Sequence, residues 1–237
     1  MHRVDLKITK AYVLTMSASL PFLEGAEIHI KDSRIVFLGP KDKAPPCEAA
    51  HIIDASHCLV IPGLINCHTH VPMTLFRGLA DDLPLMKWLN EYIFPIERKM
   101  DKEFVYIGSL IGIGEMLLSG TTTFCDMYLF EESVARAASE AKVRCLLGEV
   151  LYDFPSPNYG PMEKGFEYTE WLIQEYKGDP LIRIALMPHA TFTCSPDLLQ
   201  RAKGLAQRYD VPIVIHVSET SSEVELILEK SQKTPVR

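Results

Sequence analysis

No basic cluster stands out in this chain of 237 residues, in which 24 Lys and Arg are outnumbered by 31 Asp and Glu for a net charge of −7. That balance argues against a nucleic-acid partner. No apolar run reaches the roughly 18 residues that crossing a bilayer requires, so no membrane span is expected. The opening Met-His-Arg-Val-Asp-Leu-Lys lacks the apolar core of a secretory signal. There is no Cys-x-x-Cys. The six cysteines (Cys47, Cys58, Cys67, Cys125, Cys145, Cys194) are scattered and read as reduced, mostly buried thiols of a cytoplasmic protein. Internal repeats, low-complexity tracts and a glycine-rich phosphate loop between strand and helix are all missing. The last of these absences weakens a dinucleotide-binding reading.

What is present is apolar residues, 47% of the chain, enough for a sizeable core and one or two domains. Residues 1–58 read as an all-β part. Leu6–Leu14, Ala26–Leu38 and His51–Val60 carry β-branched and apolar residues with partial alternation, and Pro21, Glu24-Gly25, Lys31-Asp32-Ser33, Gly39-Pro40 and Pro45-Pro46 punctuate them. A small antiparallel sheet is expected there. The rhythm then changes across residues 59–237. Strands are expected at Leu59–Asn66, Thr121–Met127, Val143–Leu151, Leu181–Met187 and Val211–Val217. Helices fall between them: Leu83–Lys99, broken near Pro95; Lys102–Ser119, with Phe104, Ile107, Ile111, Met116 and Leu118 as its apolar residues; Glu131–Ala141; Glu163–Tyr176; Pro196–Arg208, capped by Ser195; and Ser222–Lys230. Asp81 and Asp82 are expected to cap the helix that follows them. Five strands each followed by helix mean a parallel sheet buried on both faces, doubly wound or barrel.

The ends of these strands hold the polar groups. Leu59-Val-Ile-Pro-Gly-Leu-Ile-Asn-Cys-His-Thr-His70 ends in His68 and His70, two apart at the close of an apolar strand. Side chains two apart in a strand share a face, so the imidazoles project together, and imidazole is a common zinc ligand. Alternation points Cys67 away from them, into a packing role. Pro188-His189-Ala190 follows the fourth strand and His216-Val217-Ser218-Glu219 the fifth. Polar groups gathered at the C-terminal ends of several strands favour the barrel. His2, His29, His51 and His57 fall in the all-β part and are assigned no chemistry.

These motifs carry a specific resemblance. Pro62-Gly63-Leu64-Ile65-Asn66-Cys67-His68-Thr69-His70 resembles the first metal motif of the amidohydrolase superfamily, and His216-Val217-Ser218-Glu219-Thr220 resembles the strand-five motif of its amino-group-removing branch. Arg77-Gly78-Leu79-Ala80-Asp81-Asp82 and Leu85-Met86-Lys87-Trp88-Leu89 strengthen the match. The chain is most similar to the 5-methylthioadenosine/S-adenosylhomocysteine deaminases, relatives of the triazine chlorohydrolases, and the similarity runs to its last residue.

The resemblance implies a (β/α)8 metal-dependent hydrolase barrel, here about its first five βα units, with strands of a small N-terminal β-sandwich. It implies hydrolytic deamination of adenosine-type nucleosides (5′-methylthioadenosine, S-adenosylhomocysteine, adenosine) to ammonia and the inosine product. His68, His70 and His216 would be the ligands of one divalent metal ion, zinc, which makes a nucleophile of water near neutral pH. Glu219 would be the proton shuttle, His189 would hydrogen-bond the purine, Glu97 would take the ribose hydroxyls and Trp88 would form an aromatic wall. The implied partner is a small-molecule nucleoside, without nucleic acid or membrane, and a homo-oligomer is left open.

Absences inside the matched region sharpen this. Met187-Pro188-His189 stands where binuclear relatives carry a bridging carboxylated lysine, so one metal is expected. Asp153–Gly165 holds no arginine of the kind some members use for an amino-acid carboxylate, which favours methylthioadenosine or adenosine over S-adenosylhomocysteine. The expected counterparts of a strand-six histidine and a strand-eight aspartate are not found, and no Asp follows Asp210. The chain therefore reads as the N-terminal part of a deaminase, and as an open barrel with little turnover should it stand alone. Two other readings remain: a chlorohydrolase or nucleobase deaminase on the same frame, and a non-catalytic remnant that keeps metal or ligand binding.

Overall fold

Alternating residues in the first sixty positions build one five-stranded sheet in the computed structural model, which describes residues 2–236. Its strands are β1 (His2–Leu14), β2 (Phe22–Lys31), β3 (Arg34–Pro40), β4 (Cys47–Asp54) and β5 (Leu59–Val60). The single strand expected over Ala26–Leu38 is a hairpin. Asp32 and Ser33 both adopt positive φ (50° and 63°), as a tight two-residue turn requires. β1 pairs antiparallel with β2 but parallel with β4 and β5, so the sheet is mixed rather than antiparallel. Its small core is Ala11, Val13, Ala26, Ile28 and Ala55.

The chain divides into two compact units, one ending at Gly63 and one beginning at Leu64. The strand expected over Leu59–Asn66 is accordingly two strands in two sheets. Leu59-Val60 pairs with β1, and β6 (Leu64–Thr69) begins after Pro62-Gly63. Pro62 has no amide to give a ladder and Gly63 no side chain to pack, so pairing cannot run through them.

The second unit is a partial (β/α) barrel. β6 pairs in parallel with β7 (Thr121–Tyr128), β7 with β8 (Arg144–Leu151), and β8 with both β9 (Ile182–Ile184) and β10 (Met187–Pro188). Leu147, Leu151, Leu172, Ile182 and Leu186 are fully buried at its centre. The fifth expected strand, Val211–Val217, makes no regular ladder among the described residues. It runs alongside residues 186–190 through isolated bridges Leu186↔Ile213 and Ala190↔His216. Pro212 can accept from Leu186 (2.9 Å) but has no N–H to give, so alternate rungs are lost.

The connecting helices follow their capping signals. α1 (Leu85–Trp88), a π turn at Leu89–Ile93 and α2 (Phe94–Glu97) replace the expected helix Leu83–Lys99, with Pro95 in the first turn of α2. Asp81 and Asp82 cap nothing: Pro84 stands at the N-cap of α1, with no side-chain cap. α3 (Lys102–Leu118) starts at Asp101, whose carboxylate accepts from the Phe104 amide at 2.8 Å. α4 (Glu131–Ala141), α5 (Met162–Glu175), α6 (Pro196–Tyr209, capped by Ser195) and α7 (Ser221–Ser231) complete the set.

The buried face of α3 is not the one its large residues suggest. Ile107, Ile111 and Leu118 are exposed, and Val105, Gly108, Ser109, Gly112, Ile113 and Met116 are buried. The two glycines explain it. A Cβ on Gly108 would lie 2.7 Å from the Pro72 carbonyl oxygen, and one on Gly112 would lie 2.8 Å from the Val71 side chain. The 3-10 turn Val71–Phe76, directly after His70, lies in that shallow groove. Glycine spacing on α3 thus sets where the chain goes once it leaves β6.

Candidate metal centre and adjoining cavity

Strand alternation puts His68 and His70 on one face at the end of β6, and the bridge Ala190↔His216 brings His216 beside them. His68 Nε2 lies 3.3 Å from His70 Nε2 and 3.1 Å from His216 Nε2. The ligand atoms of all three lie within 4.8 Å of one another. Nitrogens bound to a single ion at about 2.0–2.1 Å in a tetrahedral arrangement stand roughly 3.3–3.4 Å apart, so the spacing suits zinc.

The hydrogen bonds on the far sides of the rings set which nitrogen is free. His70 Nδ1 donates to the Met127 carbonyl oxygen (2.6 Å) and His216 Nδ1 to the His189 carbonyl oxygen (2.8 Å). Each bond places the proton of a neutral ring on Nδ1 and leaves Nε2 a bare lone pair. One proton on His68 Nε2 can serve one neighbour, not both. A cation is what such a convergence of lone pairs accommodates. Burial holds His70 down at about 4, with the neighbouring imidazoles adding to it against the Met127 hydrogen bond, so this ring is neutral near pH 7.

A cavity of about 70 Å³ opens beside His70, lined among others by Trp88, Ile93, Glu97, Tyr152 and His189. Three residues singled out from the sequence, Trp88, Glu97 and His189, therefore meet His70 there. His189 Nδ1 pairs with Thr193 Oγ1 at 2.9 Å, and burial followed by the charges of His216 and His70 pulls its ring down to about 3. Glu97 is buried. Loss of solvent pushes its carboxyl up to about 7, against a hydrogen bond from Tyr128. Trp88 is half-buried. Next to this cavity, Phe94, Glu97, Arg98, Tyr152 and Phe154 line a groove of about 260 Å³.

Glu219 is exposed and lies outside the cavity lining. Its backbone is nevertheless fixed. The buried Glu223 accepts from the Glu219 amide (2.8 Å), from the Ser218 amide (3.2 Å) and from Thr191 Oγ1 (2.5 Å), and Ser218 takes φ 59°. Sequence reasoning passed over Glu223, although Thr220-Ser-Ser-Glu223 has the capping-box sequence; Thr220 Oγ1 accepts from the Glu223 amide at 3.2 Å, while the Glu223 carboxylate returns to the Ser218 and Glu219 amides and not to that of Thr220. Tyr152 and Asp126 were also passed over. Cys67 has no packing role: its thiol is exposed, because β6 is the last strand of its sheet among the described residues. All six cysteines are free, and only Cys145 and Cys194 are buried.

The comparison with known proteins fits this geometry. The Amidohydrolase family model matches residues 59–235, which hold every residue of the centre and its cavity. The 5-methylthioadenosine/S-adenosylhomocysteine deaminase of Syntrophobacter fumaroxidans is 51% identical over 99% of the chain and 54% of its own length. The 5-methylthioadenosine/S-adenosylhomocysteine deaminase 1 of Syntrophus aciditrophicus is 49% identical over 97% of the chain and 52% of its own length. An adenosine deaminase from Xanthomonas campestris, solved with bound zinc, superposes with a TM-score of 0.95 at 34% identity, over 99% of this chain and 54% of that one. The chain thus spans about half the length of the curated relatives it matches. With three imidazoles converging at the mouth of a parallel barrel and a family match across that whole unit, the chain belongs to the amidohydrolase family.

Proposed function

We propose that this chain carries the metal-binding and nucleoside-binding part of a hydrolytic deaminase of adenosine-type nucleosides (5′-methylthioadenosine, S-adenosylhomocysteine or adenosine), with ammonia and the inosine product released. The observation that carries the reading is the convergence of three Nε2 lone pairs at 3.1–3.3 Å beside a part-apolar cavity. The names of the relatives, deaminases of this substrate class, support it.

His68, His70 and His216 would hold one divalent ion, with zinc favoured by imidazole donors and by their spacing. When bound, such an ion supplies Lewis acidity and makes a nucleophile of water near neutral pH. Glu219 would take a proton from the attacking water, pass it to a purine ring nitrogen, and then move the remaining hydroxyl proton to the departing amino group, a role that suits a carboxylate on a loop three residues past a ligand. His189, neutral at pH 7, hydrogen-bonds the purine. Glu97 accepts from the ribose hydroxyls, and its carboxyl near 7 keeps a proton available for a return bond. Trp88 and Tyr152 flank the base with apolar surface.

Metal analysis of the purified protein, together with ammonia release from a panel of adenosines, guanine, cytosine and a chlorotriazine, tests the reading. One equivalent of zinc is the expected outcome, and any ammonia released, slowly from this chain by itself, is expected to come from an adenosine nucleoside. Release from a triazine or a free nucleobase alone would move the assignment to a chlorohydrolase or nucleobase deaminase. Zinc with no turnover on any of them would leave a binding chain, and no metal at all would end the reading.

A further inference from the structure

Behind the histidines lies a group of side chains that the proposed chemistry does not use. Asp126 on β7, Glu131 in the first turn of α4 and Glu149 on β8 are each completely shielded from solvent, at 0% exposure. None of the three forms an ion pair among the described residues. Glu149 is well served: Oε2 accepts from the Glu131 amide (3.1 Å) and Oε1 from Asn158 Nδ2 (3.0 Å). The other two differ. Asp126 Oδ1 accepts from the Val71 amide and from Thr69 Oγ1, both at 2.6 Å. Asp126 Oδ2 and both Glu131 oxygens have no such partner among the described residues. The two carboxyls lie within hydrogen-bond reach of each other.

Two ionised carboxylates facing one another at 0% exposure repel with little screening from bulk solvent. A single proton between them turns the like-charge contact into an O–H···O⁻ bond, among the stronger hydrogen bonds in proteins, and gives two of the three orphaned oxygens, Asp126 Oδ2 and one of Glu131, a partner. We propose that Asp126 and Glu131 share one proton at neutral pH, and that this carboxylic acid–carboxylate pair is a positioning device for the His68–His70 segment. The proton sits on Glu131. Burial pushes both carboxyls up, but Thr69 and Val71 stabilise the charge on Asp126, whereas Glu131 faces the Asp126 and Glu149 carboxyls with one backbone amide, that of Tyr128, in its favour.

The β6–β7 ladder shows why such a device is needed. Its register slips between Asn66 and Thr69, so regular pairing does not run through His68. Thr69 sits opposite Asp126, and beyond it the strand ends. The Asp126 carboxylate grips Thr69 and Val71, the residues on either side of His70. The next residue of β7, Met127, takes the His70 Nδ1 proton on its carbonyl oxygen. Two successive β7 residues thus fix the backbone around His70 and the tautomer of its ring. Glu131 keeps Asp126 anionic on the oxygen that does this work without leaving its other oxygen bare.

The proton assignment stands independently of the proposed function, and only the purpose of the positioning rests on it. Two measurements on the purified protein separate them. Infrared difference spectra at neutral pH, wild type minus variant, should show one buried carboxylic-acid carbonyl stretch lost in both E131Q and D126N, over the unchanged bands of Glu97 and Glu149, whose carboxyls burial also pushes up. In E131Q the amide donates to Asp126; in D126N the new amide donates to Glu131 and frees its proton. Zinc affinity, read by competition with a chromophoric chelator, should stay within about threefold of wild type in E131Q and fall by about tenfold or more in D126A, which drops both anchors. Difference spectra in which neither isosteric variant loses a carboxylic-acid band would overturn the shared proton. E131Q losing as much affinity as D126A, or D126A losing none, would overturn the positioning role. Should D126A fail to fold, E131Q against E131V decides that arm, and retained affinity in E131V would defeat it. A wild type that binds no zinc sinks the metal reading while the infrared arm still decides the proton.

Discussion

Each unit of this protein takes histidine out of bulk solvent, fully in one and partly in the other, and they treat it in opposite ways. In the N-terminal sheet His29 is 1% exposed and its Nε2 lies 3.1 Å from Glu27 Oε2, which also holds Lys7 Nζ at 2.8 Å. The ring has a carboxylate partner and the carboxylate a cation, so the group is closed. In the barrel unit His70 and His216 spend their Nδ1 protons on backbone carbonyls and turn their Nε2 atoms toward one another with no carboxylate between them. The first arrangement is what a structural histidine needs; the second is complete only with a cation. Residue type is the same, His29 is buried while His70 and His216 are half-buried, and the direction of the free lone pair tells the two arrangements apart.

The largest effect should come from the lone pairs themselves. H216A is expected to lower zinc affinity by more than about 100-fold, since it removes a ligand rather than a supporting contact, whereas H29A leaves it unchanged. Chelator competition on the two variants makes this comparison, and equal losses would erase it. The carboxyls give the next contrast. Glu97 has no cation, and its pKa rises from an ordinary 4.5 to about 7, so the folded form holds its proton more tightly. Stability is therefore lost as pH rises from about 4.5 through 7, by on the order of 3 kcal/mol at about 1.4 kcal/mol per unit. Burial also raises Glu27, but Lys7 and His29 outweigh it and the net shift is downward. Its contribution is present above the ordinary carboxylate range and is lost as pH falls through its folded pKa. Urea unfolding across this range should show the E97Q curve flatter at the neutral end and the E27Q curve flatter at the acid end.

Smaller effects should follow from Glu223. E223A leaves the Ser218 and Glu219 amides and the Thr191 hydroxyl without their acceptor, and about 1–3 kcal/mol of stability should go with them, read from the urea midpoint. The smallest concern surface ion pairs, one in each unit. Neither K10A, which breaks the Lys10–Asp54 pair, nor R77A, which breaks the Arg77–Glu115 pair, should move that midpoint measurably, because all four side chains are about half exposed or more. A clear shift in either would mean the pair does more than its setting suggests.

The legible parts of this fold were those written in local pattern. Strand–helix alternation placed β7, β8, α4, α5 and α6 within a residue or two, because each joins a β-branched or periodic run to a cap such as Ser195. His68 and His70 could be paired because alternation in β6 puts them on one face, and His216 joined them through the resemblance of its motif. The misread parts depended on partners far along the chain. Leu59-Val60 belongs to the first sheet because β1, nearly fifty residues earlier, pairs with it. The bulky residues of α3 lie outward because its glycines receive the turn after His70. Cys67 is exposed because its strand ends a sheet. The Asp126–Glu131 pair was invisible because neither residue has a motif of its own, and their meaning lies in the absence of solvent around them.

X-ray absorption at the zinc edge of the metal-loaded protein tests the central claim most directly. The account predicts one equivalent of zinc with imidazole scattering that weakens in H216A, where two of three imidazoles remain, and is untouched in H29A. Zinc that fails to bind stoichiometrically, or the same scattering from a protein lacking His68, His70 and His216 together, would contradict it.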